Sequence, residues 1–412
     1  YELMALDTGR YRLDGQLRQV MLSVRELSHA DLPSRIWINE HLVYTHGYGA
    51  VVGPVNTATR EGLPEFFVKD IPPVSTNESF KVSRPQIYYG EIANPYILAR
   101  TLSQEFDYPS GDENVYRSYT GQGGVSISGF WRRLLFAIRF AEVKILLTKD
   151  LAGESLILYH RQINERVQKV APFLRLDRDP YPVITKEGRI VWILDAYTTS
   201  DHFPYSQPTR GIGNYIRNPV KATVDAYDGT VRLYLLDATE PLAQAYHRAF
   251  PGLFQPIDAM PQELRDHLRY PQDLFGIQAR MYAAYHMRDP QVFYNKEDLW
   301  TIPIRKGEGR ELEMEPYYTI MKLPGEKKEE FVLLLPFTPV RRDNMISWLA
   351  ARSDGPNYGK LVLYEFPKGK LVFGPRQIEA RIDQDARISQ QITLWSQAGS
   401  QVLRGSLLAI PV

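Results

Sequence analysis

The strongest constraint on the fold is a repeated local pattern: two apolar, β-branched runs joined by a short polar turn that contains glycine. Residues 220–237, "VKATVDAYDGTVRLYLLD", place Asp-Gly between two such runs, and this combination is typical of a β-hairpin. The same pattern predicts hairpins in "YPVITKEGRIVWILDAY" (181–197), "YYTIMKLPGEKKEEFVLLLPF" (317–337) and "GKLVLYEFPKGKLVFGP" (359–375). Hairpin-connected strands pair antiparallel, so the sheets should be mainly antiparallel.

Helical periodicity is confined to separate blocks. Residues 129–173 carry apolar side chains at helical spacing and predict two or three helices, the last ending near Pro172. The apolar positions that support this prediction are Leu134, Leu135, Ile138, Val143, Leu146, Leu147, Leu156, Leu158, Ile163 and Val167. Further helices are expected in 241–250 and 261–287. Hairpins with segregated helices predict an α+β protein.

Composition divides the chain into three regions. Residues 1–115 are rich in strand and loop signals, residues 116–179 form the helical block, and residues 180–412 form an α+β region with several hairpins. One large composite domain is an alternative division. A β-propeller is disfavoured because no period near 40 residues recurs along the chain.

Charge and cysteine content exclude several functions. The 49 basic and 48 acidic residues nearly cancel, and no basic stripe alternates with aromatic residues, so nucleic acid is not an expected partner. Cysteine is absent, which excludes disulfides, thiolate metal sites and cysteine nucleophiles. No cofactor motif is present, and we expect no cofactor. The most apolar stretch, "FWRRLLFAIRFAEVKILL" (130–147), contains five charges and predicts an amphipathic helix, not a membrane span.

The stretch "THGYG", residues 45–49, has the composition of an active-site loop. No nucleophile elbow accompanies it, His41 and His46 lack zincin spacing, and the glycines do not match a phosphate-binding loop. A structural turn explains it better, with Gly47 and Gly49 at positive φ and Thr45 or His46 bonded to the turn's backbone. Thr45, His46 and Tyr48 remain candidate ligand-binding residues.

Carboxylates near aromatic residues form a second set of candidates. Glu105 and Asp107 lie in "QEFDYPSGDEN", and a glycosidase needs two carboxyls beside a sugar-stacking aromatic surface. Calcium could use such acids, although none has EF-hand spacing. The alternative is that they are loop acids with capping or turn roles.

The segment "WILDAYTTSDHFPYS" is the richest in functional side chains. Asp195 is expected at the end of an apolar strand, facing a cleft, with Tyr197, Asp201, His202 and Tyr205 clustered on the following loop. Asp195, Tyr197, Asp201 and His202 complete the set of candidate ligand-binding residues. Neither the catalytic residues nor the metal ligands can be assigned from the sequence.

Long blocks of the chain resemble a known family. Among them are "RELSHADLPSRIWINEHLVYTHGYGAVVGPVN", "EFDYPSGDENVY", "APFLRLDRDPYPV", "LDAYTTSDHFPYS" and "HLRYPQDLFGIQARMYAAYHM". They are similar to uncharacterised protein family 0182, large bacterial membrane proteins with several N-terminal transmembrane helices and a large extracytoplasmic domain. The resemblance implies that this chain is the extracytoplasmic domain of an integral cell-membrane protein, cut downstream of its spans. It implies no catalytic residues.

Three functions follow as hypotheses. The first is a domain that binds an envelope glycan or a protein partner, consistent with the near-zero net charge and the 26 tyrosines, whose amphipathic rings suit binding surfaces. The second is an envelope carbohydrate or peptidoglycan hydrolase that uses paired carboxylates. The third is an accessory domain of a membrane transporter. No complete catalytic signature is present, which favours a function other than catalysis.

Overall fold

The computed structural model describes residues 2–3, 6–307, 310–367, 369–397, 399–400, 402, 405, 407–408 and 410. Contacts divide the chain into two compact units, Tyr1–His267 and Leu268–Val412. Both positions at which the sequence suggests a change of region, 115/116 and 179/180, lie within the first unit. The three-region division therefore stays a prediction.

The first unit contains nineteen strands among its described residues. They are β1 (Glu2–Leu3), β2 (Asp7–Leu13), β3 (Gln16–Glu26), β4 (Gly47–Tyr48), β5 (Ala50–Pro54), β6 (Val68–Lys69), β7 (Val74–Ser75), β8 (Gln86–Ile87), β9 (Ile97–Ala99), β10 (Glu105–Ser110), β11 (Glu113–Arg117), β12 (Val125–Ser126), β13 (Leu156–Leu158), β14 (Arg175–Leu176), β15 (Tyr181–Ile184), β16 (Ile190–Ser200), β17 (Tyr215–Asp225), β18 (Val231–Leu235) and β19 (Phe254–Pro256). Its α-helices are α1 (Phe130–Phe140), α2 (Lys144–Leu147), α3 (Ile163–Val170), α4 (Pro241–Ala249) and α5 (Gln262–Arg265).

Two six-stranded sheets dominate this unit. One has the order β1-β3-β5-β6-β7 with β2 beside β3, and the other has the order β14-β16-β17-β18-β19 with β15 beside β16. Every pairing in them is antiparallel except β18 with β19. One core cluster draws buried residues from both sheets, including Val20, Leu22, Trp192 and Val224. Nearly all of β16 is buried, which indicates that both faces of this strand are covered.

The second unit is built around a five-stranded antiparallel sheet. The described strands of the second unit are β20 (Trp300–Thr301), β21 (Ile304–Gly307), β22 (Arg310–Glu313), β23 (Tyr317–Lys322), β24 (Glu329–Pro339), β25 (Asn344–Met345), β26 (Ser347–Arg352), β27 (Leu361–Glu365) and β28 (Val372–Phe373). The sheet order is β20-β24-β26-β27 with β23 beside β24. Its helices are α6 (Gln272–Tyr285), α7 (Pro290–Asn295), α8 (Pro375–Gln384) and α9 (Ala386–Trp395). Leu323, Val332 and Trp348 lie in its core.

The α+β class and the mainly antiparallel sheets are confirmed. The hairpins β15–β16, β17–β18 and β23–β24 form as expected. Two local predictions are wrong. Leu156 and Leu158 lie in strand β13, between β12 and β9, and not in a helix. The run 359–375 is not a hairpin, because β27 pairs with β26 and β28 pairs with β25.

Candidate functional site

The stretch "THGYG" leads from a short π-helical turn, Asn39–Val43, into strand β4. Gly47 is required by close packing, because a Cβ at this position would lie 2.3 Å from the Arg25 carbonyl oxygen. Only Gly49 has the expected positive φ, at 80°. The sequence therefore identified the need for glycine correctly at both positions but gave the wrong reason for Gly47.

The Thr45 side chain points to an acid sixty residues away, not to the turn's own backbone. Thr45 Oγ1 donates a hydrogen bond of 2.5 Å to Glu105 Oε2, and Tyr88 Oη donates to the same oxygen at 2.8 Å. The backbone N–H of Tyr119 donates to Glu105 Oε1 at 2.9 Å. Burial raises the pKa of the Glu105 carboxyl, whereas these three hydrogen bonds lower it. Three donors therefore converge on a carboxylate that is almost fully buried.

His46 and Asp107 belong to the same group of buried polar side chains as Thr45 and Glu105. His46 Nε2 lies 3.1 Å from Asp107 Oδ1, which also accepts a 2.9 Å bond from Gln86 Nε2. The imidazole stacks on the Tyr88 ring at a centroid distance of 4.8 Å. Burial, and then the nearby Arg161 charge, lower the pKa of His46 to about 3. His46 is therefore neutral at pH 7, and its Nε2–H donates to the carboxylate.

Arg117 is the exposed member of the cluster. Its Nε lies 3.0 Å from Asp107 Oδ2, although most of its side chain is in solvent. Burial raises the pKa of Asp107, and the Gln86 hydrogen bond and the Arg117 charge lower it. Asp107 lies where the β10–β11 register shifts, between Phe106 and Tyr108, as at a β-bulge. This irregularity accompanies the inward placement of the Asp107 side chain.

Arg161 connects the cluster to three surrounding segments. Its guanidinium donates to the backbone carbonyls of Tyr88 at 2.8 Å, Pro95 at 3.2 Å and Thr45 at 2.5 Å. Burial lowers the pKa of Arg161 to about 10, so the group stays charged. We call Thr45, His46, Gln86, Tyr88, Glu105, Asp107 and Arg161 the polar centre. Because its members are buried and hydrogen-bonded to one another or to the backbone, it holds the surrounding loops in one arrangement.

A second acid pair lies beside the polar centre. The Glu26 carboxylate accepts from the backbone N–H groups of Glu91 at 2.7 Å and Ile92 at 3.0 Å. A Cβ at Gly90 would lie 2.2 Å from Glu26 Oε2, so glycine is needed for this close approach. Burial, and then the Glu26 charge, raise the pKa of Glu91 to about 7.

Asp195 and Tyr197 lie inside the second six-stranded sheet, not at a strand end. Strand β16 continues past them to Ser200. The Asp195 carboxylate accepts from Lys221 Nζ on β17, and both side chains are buried. Tyr197 Oη donates to the Asp177 carboxylate. The predicted clustering of Tyr197 with the loop residues is therefore wrong.

Asp201 and His202 belong to a different environment. They follow β16 in an exposed loop, where His202 Nε2 lies 3.3 Å from Asp201 Oδ1. We call residues 201–214 the aromatic loop, because Phe203 and Tyr205 are both exposed on it. Tyr205 is fully exposed and has a φ of 57°, a left-handed conformation that costs a non-glycine residue about 1 kcal/mol.

The aromatic loop is well anchored despite its exposure. The Asn214 side chain accepts from the Phe203 N–H at 3.0 Å and donates to the Phe203 carbonyl at 2.7 Å. Phe203 stacks on Tyr215 at 5.4 Å between centroids. Arg175 donates to the Gly211 carbonyl, and Thr209 forms an isolated bridge with Gly213. These contacts fix the backbone of the loop from which the Tyr205 side chain extends into solvent.

The structure thus brings together Thr45, His46, Glu105 and Asp107, and places Tyr48 in the adjoining strand β4. It separates Asp195 and Tyr197 from Asp201 and His202. The sequence analysis missed Arg161 and Lys221, because the identity of a basic residue does not show whether its side chain will be buried or exposed. Lys221 alone carried a signal, because it interrupts the apolar run of a strand.

The described part of the chain contains no group of three His, Cys, Asp or Glu side chains placed to hold a metal ion. None of its helices is both long and apolar enough to cross a membrane.

The fold and these sites define an α+β protein with a buried polar centre and an anchored, exposed aromatic loop. The profile described as "Uncharacterised protein family (UPF0182)" matches residues 1–395, and the chain belongs to this family. It is 57% identical over 412 residues to a UPF0182 protein of Geobacter sp. strain M21, covering 100% of this chain and 45% of that protein. It is 55% identical over 414 residues to a UPF0182 protein of Pelotomaculum thermopropionicum, again covering 100% and 45%. The chain thus spans slightly less than half the length of these relatives. No solved structure matches it.

Proposed function

We propose that this chain is the extracytoplasmic domain of an integral membrane protein and that it binds an envelope glycan through the aromatic loop. The observation that carries the binding proposal is Tyr205, fully exposed at positive φ on a loop fixed by Asn214 and Arg175. Backbone strain that the surroundings hold in place is typical of binding sites. An exposed aromatic ring on such a loop can stack on the apolar face of a sugar.

The carboxylates support binding over hydrolysis. Glu105 and Asp107 are fully buried, and their oxygens accept from protein donors. Asp195 is likewise buried against Lys221. A glycosidase needs its two carboxyls open to the scissile bond. Among the predicted site residues, the exposed acid and imidazole are Asp201 and His202 on the aromatic loop, where they would supply hydrogen bonds to sugar hydroxyls.

The binding proposal is tested with purified peptidoglycan sacculi. The chain should co-sediment saturably, and Tyr205→Ala should weaken the affinity about fivefold, corresponding to about 1 kcal/mol for one aromatic contact. Tyr294→Ala is the matched control, since Tyr294 is an exposed tyrosine of the second unit. Equal affinities for the two variants, or the absence of saturable binding, would contradict the proposal.

The location proposal is tested by cysteine labelling of the full-length protein. This chain has no cysteine, and any cysteine outside it is first replaced by serine. Lys169→Cys introduces one thiol at an exposed position on helix α3. We expect a membrane-impermeant maleimide to label this thiol in intact cells that express the protein, to the same extent as in lysed cells. Labelling only after lysis would place the domain on the cytoplasmic side.

A further inference from the structure

Helices α1 and α2 leave an apolar surface in solvent. The six large apolar side chains that are at least 60% exposed in this segment are Phe130, Trp131, Leu135, Ile138, Val143 and Leu147. On α1, Trp131, Leu135 and Ile138 follow at i, i+4 and i+7, so they share one face of the helix. A surface helix of a water-soluble fold normally presents polar residues on its outward face.

The opposite face of α1 is already used by the core. Ala137 is buried in a cluster with Ile127 and Ile145, and Phe140 packs on Tyr96 at 4.4 Å between ring centroids. The exposed stripe is therefore not needed to hold the helix on the protein. Helix α1 has two apolar faces, of which one is occupied and one is in solvent.

Basic residues accompany the exposed stripe. The segment 130–147 carries four basic residues and one acidic residue, whereas the whole chain has a net charge of only +1. Arg132, Arg139 and Lys144 are exposed, and the single acid, Glu142, accepts from the Lys144 backbone N–H at 3.1 Å. Local positive charge therefore accompanies the exposed apolar side chains of this segment.

We propose that the segment 130–147, which we call the interfacial segment, docks on the surface of an anionic lipid bilayer. Trp and Phe with Leu on one face and Arg and Lys around it are the features of helices that lie in the membrane interface. The apolar side chains would enter the headgroup–acyl boundary, and the cations would lie at the level of the anionic headgroups. This surface involves none of the residues of the aromatic loop.

Charge complementarity favours lipid over a second copy of the chain. A twofold contact would bring the same face of each copy together, so Arg132, Arg139 and Lys144 would lie against an equally basic face. Like charges close together across such a contact repel. An anionic bilayer instead offers negative charge at the edge of an apolar layer.

The experiment is co-sedimentation of the 412-residue chain with vesicles. Vesicles of phosphatidylcholine alone are compared with vesicles containing one part phosphatidylglycerol to two parts phosphatidylcholine. We expect the chain to bind the anionic vesicles at least tenfold more strongly, and to be partly released as salt shortens the range of charge interactions. Trp131→Ser/Leu135→Ser should weaken this binding at least tenfold, and Arg132→Gln/Lys144→Gln should remove most of the dependence on phosphatidylglycerol.

The matched control is Leu63→Ser/Leu371→Ser, which removes two leucines of similar exposure outside the interfacial segment. This control should bind anionic vesicles as the unsubstituted chain does, and circular dichroism should be unchanged in all variants. Equal binding by Trp131→Ser/Leu135→Ser and the control would overturn the proposal, as would binding indifferent to phosphatidylglycerol. A dimer in the absence of lipid that Trp131→Ser/Leu135→Ser dissociates would assign this face to self-association instead.

Discussion

Asp195 and Lys221 face each other across strands β16 and β17 and form a buried ion pair in the middle of a sheet. They are direct cross-strand neighbours in the register, and each is at most 2% exposed. Removing one charge would leave the other uncompensated in the interior. We expect Lys221→Met to lower the free energy of unfolding by about 3–5 kcal/mol.

Asp195→Asn/Lys221→Met tests whether the lost charge balance is the cause. Because this double variant removes both charges, it should recover most of the lost stability in urea unfolding. A double variant as unstable as Lys221→Met alone would show that packing, and not charge, dominates at this position.

Gly47 is predicted to be intolerant of a single added methyl group. A Cβ would lie 2.3 Å from the Arg25 carbonyl oxygen and 2.7 Å from Glu26 Cα, and both are backbone atoms that cannot rotate away. We expect Gly47→Ala to cost about 2–3 kcal/mol, measured by urea unfolding. Gly153→Ala is the control, because its Cβ would meet nothing within 4 Å. Similar unfolding midpoints for the two variants would contradict this prediction.

The hairpins could be predicted from sequence because their determinants are local. The β17–β18 turn and its flanking strands lie within about twenty residues, and alternation sets the register. Strand β13 could not be predicted, because Leu156–Leu158 pairs with β9 and β12, which are distant in sequence. Short apolar runs do not distinguish strand from helix by periodicity.

Four members of the polar centre, Thr45, His46, Glu105 and Asp107, were identified individually from the sequence, but their contacts were not. Thr45 and Glu105 are sixty residues apart, and their hydrogen bond depends on how strand β10 packs beside the loop before β4. The sequence suggested loop acids, whereas Glu105 and Asp107 lie in strand β10 and are buried. Burial of an acid depends on donors such as Gln86 and Tyr88, whose positions are set by tertiary structure.

His46 should make the protein sensitive to acid. Its pKa is lowered from 6.5 to about 3 in the folded state, so between these values the unfolded state binds the extra proton. Its contribution to stability is present above pH 6.5 and is lost as the pH falls, by about 1.4 kcal/mol per pH unit. Between pH 6.5 and 4.5, we expect the free energy of unfolding to fall by roughly 2–3 kcal/mol less in His46→Gln than in the unsubstituted chain.

The measurement is a series of urea-unfolding curves across this pH range. His202→Gln is the control, since His202 is exposed on the aromatic loop, and its curves should follow those of the unsubstituted chain. If His46→Gln shows the same pH dependence as His202→Gln, His46 does not titrate as its burial requires.

Glu91 should give the opposite pH dependence of stability to that of His46. Its pKa is raised from 4.5 to about 7, chiefly by burial and then by the Glu26 charge, so the folded state binds the extra proton. This contribution is fully present below pH 4.5 and is lost as the pH rises through about 7. We expect Glu91→Gln to gain stability relative to the unsubstituted chain between pH 5 and 8. Thermal unfolding measures the difference, with the exposed Glu154→Gln as control; a constant difference would contradict the prediction.

Tyr205 should lower the stability of the fold while it contributes to glycan binding. At a φ of 57° glycine is unstrained, so Tyr205→Gly should raise the free energy of unfolding by about 0.5–1 kcal/mol. The ring is fully exposed and contributes no burial that would offset this gain. Tyr294→Gly lies in helix α7 and should instead cost about 1 kcal/mol. Urea unfolding compares the two, and sacculus co-sedimentation should show that only Tyr205→Gly loses affinity. If Tyr205→Gly instead lowered the free energy of unfolding, the conformation of the loop would depend on the Tyr205 ring. The backbone strain at Tyr205 would then be explained by the folding of the loop and not by ligand binding.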